Sequence, residues 1–235
     1  MTPRETRVLP TAEGDFRVYT EGTITRALQA GQWWDSHLKP YIDSVHGHSG
    51  WAVDIGAHFG WFTRYLSQHH TVVIACEPWP PSFALLMQNL WHNRLDGRWH
   101  GDVQCWPVAA YHRPDLLAFY SRNVLEDAGS FAFVPSPDVY VEDRVPAIRL
   151  DDYLPATAPI SLVKCDAQGA DLQALQGMER TIRRCRPLIL FEWEEGLAQQ
   201  QGSDWGDYLA FFEQIGYAPP ERISQGYWDY VARPE

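Results

Sequence analysis

At 235 residues and 27.0 kDa, the chain is long enough to bury a complete hydrophobic core. Apolar residues make up 45% of it and aromatic residues 14%, which excludes an intrinsically disordered protein. Its formal net charge of −11 lacks the basic footprint of most nucleic-acid-binding proteins, so we expect no nucleic-acid partner.

Two further absences bound the interpretation. No apolar stretch approaches the ~20 residues that a membrane span requires, and the opening segment MTPRETRVLP lacks the apolar core of a signal peptide. The four cysteines, Cys76, Cys105, Cys165 and Cys185, lie far apart and form no C-x-x-C pair. They therefore predict free thiols rather than zinc ligands or disulfides, and with them a reducing, cytoplasmic compartment.

Residues 1–50 are predicted to form a helical extension, or lid, in front of the main domain. In the segment GQWWDSHLKPYIDSV, the apolar positions Trp33, Trp34, Leu38 and Ile42 recur at helical spacing. The segment HGHSG then breaks the chain, and we place the domain boundary there.

Residues 51–235 are predicted to form one domain in which strands and helices alternate. The predicted strands include WAVDI, TVVIACE, VQCWPVAA, ISLVKCD and PLILFEW, with helices such as PPSFALLMQNLWHN and GADLQALQGMERTIRR between them. Short strands between residues 115 and 150 form an antiparallel excursion, and two more close the chain. This order predicts an α/β fold with a seven-stranded, mostly parallel sheet and helices on both faces.

A turn with two glycines follows the first strand of this domain. The stretch VDIGAHFGWFT reads D-x-G-x-x-x-G, with Asp54, Gly56 and Gly60. In open α/β sheets, ligands bind beyond the carboxyl ends of the strands. Glu77 ends the next strand, where a carboxylate can bind two ribose hydroxyls. The pattern predicts an adenosine-containing ligand, and an ordinary strand–helix turn with a solvated Glu77 is the alternative.

The charge of this turn favours S-adenosylmethionine over a dinucleotide. The dinucleotide fingerprint G-x-G-x-x-G is incomplete, because position 63 is Thr63. Asp54 would repel a pyrophosphate but attract the cationic amino-acid end of S-adenosylmethionine. His58 is compatible with the turn, because histidine tolerates positive φ better than most residues. A nicotinamide-dependent oxidoreductase is the first alternative function.

Five segments in this order resemble the FkbM family of S-adenosylmethionine-dependent methyltransferases. They are VDIGAHFGWFT, CEPWPPSFALLMQN, VPAIRLDDYL, LVKCDAQGADLQALQGM and RPLILFEW, and the resemblance covers about residues 50–195. Its most specific part is the pairing of D-x-G-A-x-x-G with a later K-x-D-x-x-G-A-[DE]-x-x-x-L-x-G-M. The resemblance implies a Rossmann-like class I methyltransferase fold and methyl transfer, usually to oxygen.

The resemblance also implies which residues meet the methyl donor. With their neighbours His58 and Pro78, and with Asp166 on the reaction side, the cofactor-binding set is Asp54, Gly56, Ala57, His58, Gly60, Glu77, Pro78 and Asp166. The chain departs from the family where it has His58 in place of asparagine, and where it reads D-A-Q-G-A-D rather than D-V-E-G-A-E. A catalytically inactive binding module of the same fold is therefore the second alternative.

Three residues are the catalytic candidates, because they follow predicted strands four and five. Asp166 and Glu192 should lie side by side, where one pKa would rise or a divalent ion would bind, and Gln168 can orient a hydroxyl. The alternatives are a helix N-cap for Asp166, a solvated strand end or arginine partner for Glu192, and a turn cap for Gln168. Lys164 should point to the opposite face, which makes it structural.

The acceptor is expected to be a hydroxyl group on a small or glycan-like molecule. Asn123 and Ser130 in the excursion can bind a polar acceptor, although a plain surface loop is the alternative. Tryptophans can stack on sugars or instead fill the core, and five flank the proposed cleft in sequence, namely Trp33, Trp34, Trp61, Trp79 and Trp193. The sequence leaves the need for a metal ion and the oligomeric state open.

Overall fold

The structure is a computed structural model that describes residues 5–45, 50–95, 101–121, 131–132 and 140–235. No helix in these ranges is both long and apolar enough to cross a lipid bilayer. All four cysteines are free thiols.

The N-terminal extension is only partly helical, which corrects the sequence prediction. It starts with an antiparallel hairpin of β1 (Thr6–Thr11) and β2 (Gly14–Tyr19). Helix α1 (Thr23–Gln29), a 3₁₀ helix (Ser36–Leu38) and helix α2 (Lys39–Ser44) follow. The hairpin lacks a strong periodic signal, because only one of its two strands buries alternate side chains completely.

The predicted alternation of strands and helices begins at residue 51. Its first five elements are β3 (Trp51–Ile55), α3 (Trp61–Leu66), β4 (Val72–Cys76), α4 (Pro80–Leu95) and β5 (Asp102–Trp106). The three strands pair in parallel. Helix α4 begins with two prolines, which cost little at the first turn, where the backbone N–H groups have no intrahelical partner.

The excursion forms a second, four-stranded sheet. Its strands are β6 (Ala109–Ala110), β7 (Asp115–Ser121), β8 (Phe131–Ala132) and β9 (Tyr140–Ile148), in the order β6-β9-β7-β8. The segment VQCWPVAA, predicted as one strand, divides between β5 and β6. The division falls at Pro107, which has no N–H to donate to a sheet ladder.

The remaining elements complete the central sheet. After a 3₁₀ helix (Leu150–Asp152), the elements are β10 (Ile160–Cys165), α5 (Asp171–Gln176), α6 (Glu179–Cys185), β11 (Leu188–Glu192), α7 (Glu195–Gln200), α8 (Trp205–Gln214), β12 (Glu221–Arg222) and β13 (Asp229–Ala232). The predicted single helix after β10 is two helices with a break at Gly177, where a Cβ atom would lie 2.1 Å from the carbonyl oxygen of Tyr111.

The central sheet has seven strands in the order β12-β13-β11-β10-β3-β4-β5. Strand β13 runs antiparallel to both of its neighbours, and the other neighbouring pairs are parallel. Helices α5, α6 and α8 cover one face, and the N-terminal extension with α3 and α4 covers the other. The predicted α/β fold with a mostly parallel sheet is therefore confirmed.

Helix α4 fixes the N-terminal hairpin through a buried asparagine. The side-chain oxygen of Asn89 accepts a hydrogen bond from the Arg17 backbone N–H at 2.6 Å. Its side-chain nitrogen donates to the carbonyls of Arg17 and Phe59 at 2.9 and 2.8 Å. Asn89 thus ties strand β2 to the turn that precedes α3.

We expect Asn89→Ala to lower the free energy of unfolding by about 1–3 kcal/mol, because buried backbone groups lose their partners. Urea denaturation measures this loss, and hydrogen exchange should show faster exchange of the Arg17 amide. Gln88→Ala, one position away and exposed, is the matched control. Equal losses in both variants would mean that Asn89 does not hold the hairpin.

Candidate functional site

A cavity of about 380 Å³ opens where the carboxyl ends of β3, β4, β10 and β11 meet. Its volume is within the range of small-molecule sites. Its apolar lining residues include Cys76, Val108, Ala109, Ala110 and Phe119. The polar and acidic lining residues come from the central sheet and from segments near both ends of the chain.

Gly56 in the first turn allows the backbone of this turn to lie against strand β10. Its φ is +76°, and a Cβ atom at this position would lie only 1.9 Å from the carbonyl oxygen of Asp166. His58 also has a positive φ, +51°, as the sequence analysis expected it to tolerate. The glycine therefore positions Asp166 as well as lining the cavity.

Glu77 presents a buried carboxylate to the cavity. Its two oxygens accept hydrogen bonds from the backbone N–H groups of Trp79 and His58, each at 2.8 Å. Burial raises the pKa of Glu77 to about 7, although the two backbone hydrogen bonds oppose this shift. Each oxygen keeps a second lone pair, so the carboxylate can still accept hydrogen bonds from ligand hydroxyls. Pro78 lines the cavity beside it.

Asp54, Ala57 and Gly60 are not among the residues that line the cavity, and the expected contact between Asp54 and a ligand stays a prediction. The Asp54 side chain is fully buried and accepts a 2.6 Å hydrogen bond from the Thr63 hydroxyl on α3. Burial raises the pKa of Asp54 in spite of this bond and of the nearby Lys164 ammonium. Asp54 thus acts from beneath the site.

The prediction that Lys164 points to the opposite face from Asp166 was wrong, because the two side chains contact each other. Its long side chain brings Nζ to 3.2 Å from Asp166 Oδ2 and 4.0 Å from Asp54 Oδ1. Burial alone would lower the pKa of Lys164, but the two carboxylates raise it above its usual value. One buried ammonium therefore lies near two carboxyl groups at the floor of the site, and its single charge balances the nearer one, Asp166.

Asp166, Gln168 and Glu192 come together at the carboxyl ends of β10 and β11. The Gln168 side chain donates hydrogen bonds to Asp166 Oδ1 at 3.0 Å and to Glu192 Oε2 at 3.1 Å. Burial and the Asp166 charge raise the pKa of Glu192 well above its usual range. Burial opposes the ionisation of Asp166, but Lys164 and Gln168 hold its pKa below normal. Asp166 is therefore the more acidic member of the pair, and Glu192 keeps its proton to a higher pH than an ordinary glutamate.

Asp171, at the second departure from the family pattern, lies behind this pair. It is fully buried and accepts hydrogen bonds from the backbone N–H groups of Ala167, Gly169 and Glu192 at 3.2–3.3 Å. Burial, together with the Asp166 charge, raises the pKa of Asp171 to about 7. Asp171 therefore holds the turn that carries Gln168.

The five tryptophans singled out in the sequence have different locations. Trp34 lines the cavity. Trp33 packs against Trp61, with ring centroids 5.2 Å apart, Trp193 packs against Trp205, and Trp79 is buried. Asn123 and Ser130 lie outside the described residues.

Five residues that line the cavity were not predicted. They are Thr23, Ile24 and Asp35 in the N-terminal extension, Glu194 just after β11, and Trp228 near the C-terminus. Burial, and then the charge of Asp229, raises the pKa of Asp35 to about 7. Asp35 also has a left-handed backbone with φ 50°, which costs energy for most residues other than glycine and asparagine. No local sequence signal connects these positions, because nearly 200 residues separate the two ends.

Metal binding by Asp166 and Glu192 receives no support from the spacing of side chains. In the described part of the chain, the side chains spaced for a metal ion are Asp35, His37 and Asp229, whose ligand atoms lie within 4.8 Å of one another. Two of these, His37 and Asp229, already contact each other at 2.7 Å.

Comparisons with known proteins agree with this geometry. A family profile described as the methyltransferase FkbM domain matches residues 54–219, more than two thirds of the chain. The chain resembles a crystal structure of methyltransferase FkbM from Methylobacillus flagellatus, with 18% identity and a TM-score of 0.53, covering 78% of this chain and 43% of that one. No curated protein sequence matches the chain.

A second solved structure has a similar fold. It is the 16S rRNA N2 G1207 methyltransferase RsmC from T. thermophilus, in complex with AdoMet and guanosine, with 11% identity and a TM-score of 0.50. The likeness covers 100% of this chain but 52% of that one. The chain thus spans about half the length, or less, of both relatives.

We expect Asp171→Asn to change how stability depends on pH. The folded carboxyl has a pKa of about 7 against an ordinary 3.8, so its contribution to stability is present at low pH and is lost as the pH rises toward 7. Between pH 5 and 7, the free energy of unfolding of the wild type should therefore fall, relative to the variant, by about 1.4 kcal/mol per pH unit.

Urea denaturation followed by tryptophan fluorescence at several pH values measures this difference. Asp102→Asn, at an exposed position on β5, is the control and should follow the wild type at every pH. Parallel curves for the wild type and Asp171→Asn would contradict the raised pKa of Asp171.

Proposed function

The chain belongs to the FkbM methyltransferase family, with the α/β fold of class I methyltransferases, and we propose that it transfers a methyl group from S-adenosylmethionine to a hydroxyl group of a small or glycan-like acceptor. One observation carries this proposal. The cavity joins a buried carboxylate suited to ribose hydroxyls, Glu77, to a pair of carboxyl groups at the ends of β10 and β11, Asp166 and Glu192.

The residues present fit the methyl donor. The apolar lining residues Val108, Ala109 and Phe119 suit an adenine ring, and Glu77 keeps lone pairs for the ribose. When bound, S-adenosylmethionine supplies a methyl group on a positively charged sulfur. The ionised Asp166 lies at the end of β10 beside Gly56, where a positive charge is favoured.

The same charges disfavour the first alternative, a nicotinamide-dependent oxidoreductase. A pyrophosphate in this cavity would meet the acidic side chains of Glu77, Asp166 and Glu192 with no lysine or arginine among the described lining residues. Anions of this kind are usually bound by basic side chains or by glycine-rich helix N-termini. In this chain the helix that follows the glycine turn, α3, has only six residues.

We infer that Asp166 accepts the proton of the acceptor hydroxyl. As the new C–O bond forms, positive charge develops on the oxygen, which makes its proton strongly acidic. A carboxylate with a lowered pKa is then a sufficient base, provided that it is positioned within hydrogen-bond distance. Gln168 holds Asp166 in place, and Glu192, in its protonated form, can donate a hydrogen bond beside it.

Two further expectations from the sequence stay proposals. We propose that residues 1–50 act as a lid over the domain of residues 51–235, since Trp34 and Asp35 line the cavity. We also propose a cytoplasmic location, which the four free thiols favour. The hydroxyl acceptor rests on what the resemblance to the FkbM family implies. It stays a proposal, because the chain spans only 43% of the solved FkbM relative.

We expect Glu77→Gln to weaken binding of S-adenosylhomocysteine at least about tenfold, because the neutral amide is a poorer acceptor for two ribose hydroxyls. Isothermal titration calorimetry measures the affinity. Glu213→Gln, at an exposed position on α8, is the control. A wild type that does not bind S-adenosylhomocysteine, or a variant that binds it equally well, would refute the proposed donor site.

We expect Asp166→Asn to lower turnover by about 10²–10⁴-fold, the usual range for the loss of a positioned base. Affinity for S-adenosylhomocysteine should change far less. Release of S-adenosylhomocysteine over a panel of hydroxylated acceptors measures turnover. Equal losses of turnover and affinity would assign Asp166 to binding or folding. Donor binding by the wild type without release on any acceptor would favour the inactive module.

A further inference from the structure

Two segments outside the family match contribute side chains to the cavity lining. The match covers residues 54–219. Trp34 and Asp35 come from the segment before it, and Trp228 comes from the segment after it, yet all three line the cavity. Side chains that the family pattern does not specify therefore face whatever binds next to the methyl donor.

These two segments are joined by a direct polar contact. His37 Nε2 lies 2.7 Å from Asp229 Oδ2, and the His37 ring packs on Tyr227 with centroids 4.0 Å apart. Both partners of the polar contact are mostly buried, with 15% and 19% of their side chains exposed. The contact holds the Trp34–Asp35 turn close to Trp228, so that these three residues keep fixed positions in the cavity lining.

At pH 8 the cavity carries more negative charge than the methyl donor can balance, because Asp35 and Glu77, with pKa values of about 7, are then mostly ionised. Five carboxyl groups line it, namely Asp35, Glu77, Asp166, Glu192 and Glu194, and no lysine or arginine does so in the described part of the chain. The buried Lys164 balances Asp166 from below. S-adenosylmethionine brings a net charge of only one, since its carboxylate cancels one of its two positive groups. An anionic acceptor would therefore be repelled.

Two tryptophans line the cavity together with the acidic groups, namely Trp34 and Trp228. The Trp228 ring is already covered by the guanidinium of Arg222, 5.5 Å from its centre. The Trp34 side chain hydrogen-bonds to the Asp35 carboxyl group, so Trp34 orients a group that can form an ion pair with an organic cation.

We propose that the acceptor carries a protonated amine, which binds to Asp35 against Trp34, as well as the hydroxyl group that is methylated. Hydroxylated amines of the amino-sugar or aminocyclitol class fit this description. The inference rests on the proposed function, because it places the amine in the same cavity as the methyl donor. It assigns substrate selection to the segments outside the family match.

Three cyclohexane probes of similar size test the charge preference of the protein loaded with S-adenosylhomocysteine. They are trans-2-aminocyclohexanol, trans-1,2-cyclohexanediol and 2-hydroxycyclohexanecarboxylate, which are cationic, neutral and anionic at pH 8. Ligand-observed NMR titration should show the amine binding at least about tenfold more tightly than the diol, and the carboxylate binding most weakly. Equal binding of the amine and the diol, or tightest binding of the carboxylate, would overturn the proposal.

The variant Asp35→Asn tests the named residue. Asparagine tolerates the left-handed backbone at this position, so the turn should be preserved. We expect the preference for the amine over the diol to fall to about twofold or less, with unchanged affinity for S-adenosylhomocysteine. Asp102→Asn, at its exposed position, should retain the full preference.

Two results with Asp35→Asn would overturn the proposal. Weaker binding of S-adenosylhomocysteine would mean that Asp35 binds the donor. Calorimetric binding of Mn²⁺ that is lost in both Asp35→Asn and His37→Ala would mean that Asp35, His37 and Asp229 form a metal site. If the wild type binds no S-adenosylhomocysteine, the proposed function fails. If it binds S-adenosylhomocysteine but shows no preference for the amine, only this inference fails.

Discussion

The acidic cavity depends on the buried ammonium group of Lys164. It lies within 3.2 Å of Asp166 and 4.0 Å of Asp54, and only 6% of its side chain is exposed. Loss of one partner from a buried ion pair typically costs about 3–5 kcal/mol, because the remaining charge is uncompensated. Lys164 therefore keeps Asp166 ionised from below while the cavity itself stays free of lysine and arginine among its described lining residues. A cation that enters meets carboxylates and no competing ammonium.

The central sheet could be predicted from the sequence, whereas its additions could not. Runs such as TVVIACE and ISLVKCD are rich in apolar and β-branched residues, and helical segments separate them, so they specify buried parallel strands by themselves. The N-terminal hairpin gave no comparable signal, since much of its stability comes from contacts with α4, far along the chain. Pro107 and Gly177 interrupt a predicted strand and a predicted helix where the backbone changes direction.

The candidate site was predicted where it depends on strand ends. Glu77, Asp166 and Glu192 follow strands directly, and parallel strands bring their carboxyl ends to one edge of the sheet. Lys164 was expected on the opposite face from Asp166, but side chains two positions apart on a strand point to the same face, so the contact between them follows from the alternation itself. Asp35 and Trp228 could not be found, because only the folded chain brings them together.

The contact between His37 and Asp229 joins positions 192 residues apart. A ribosome that makes the chain from its N-terminus releases His37 long before its partner exists. The hairpin likewise waits for Asn89, 72 residues beyond Arg17. Strands β3 and β4 can pair while synthesis continues. The contact that brings the Trp34–Asp35 turn close to Trp228 forms only after residue 229 has emerged. The part of the cavity lining that contains Trp34, Asp35 and Trp228 is thus the last to be assembled in each newly made copy.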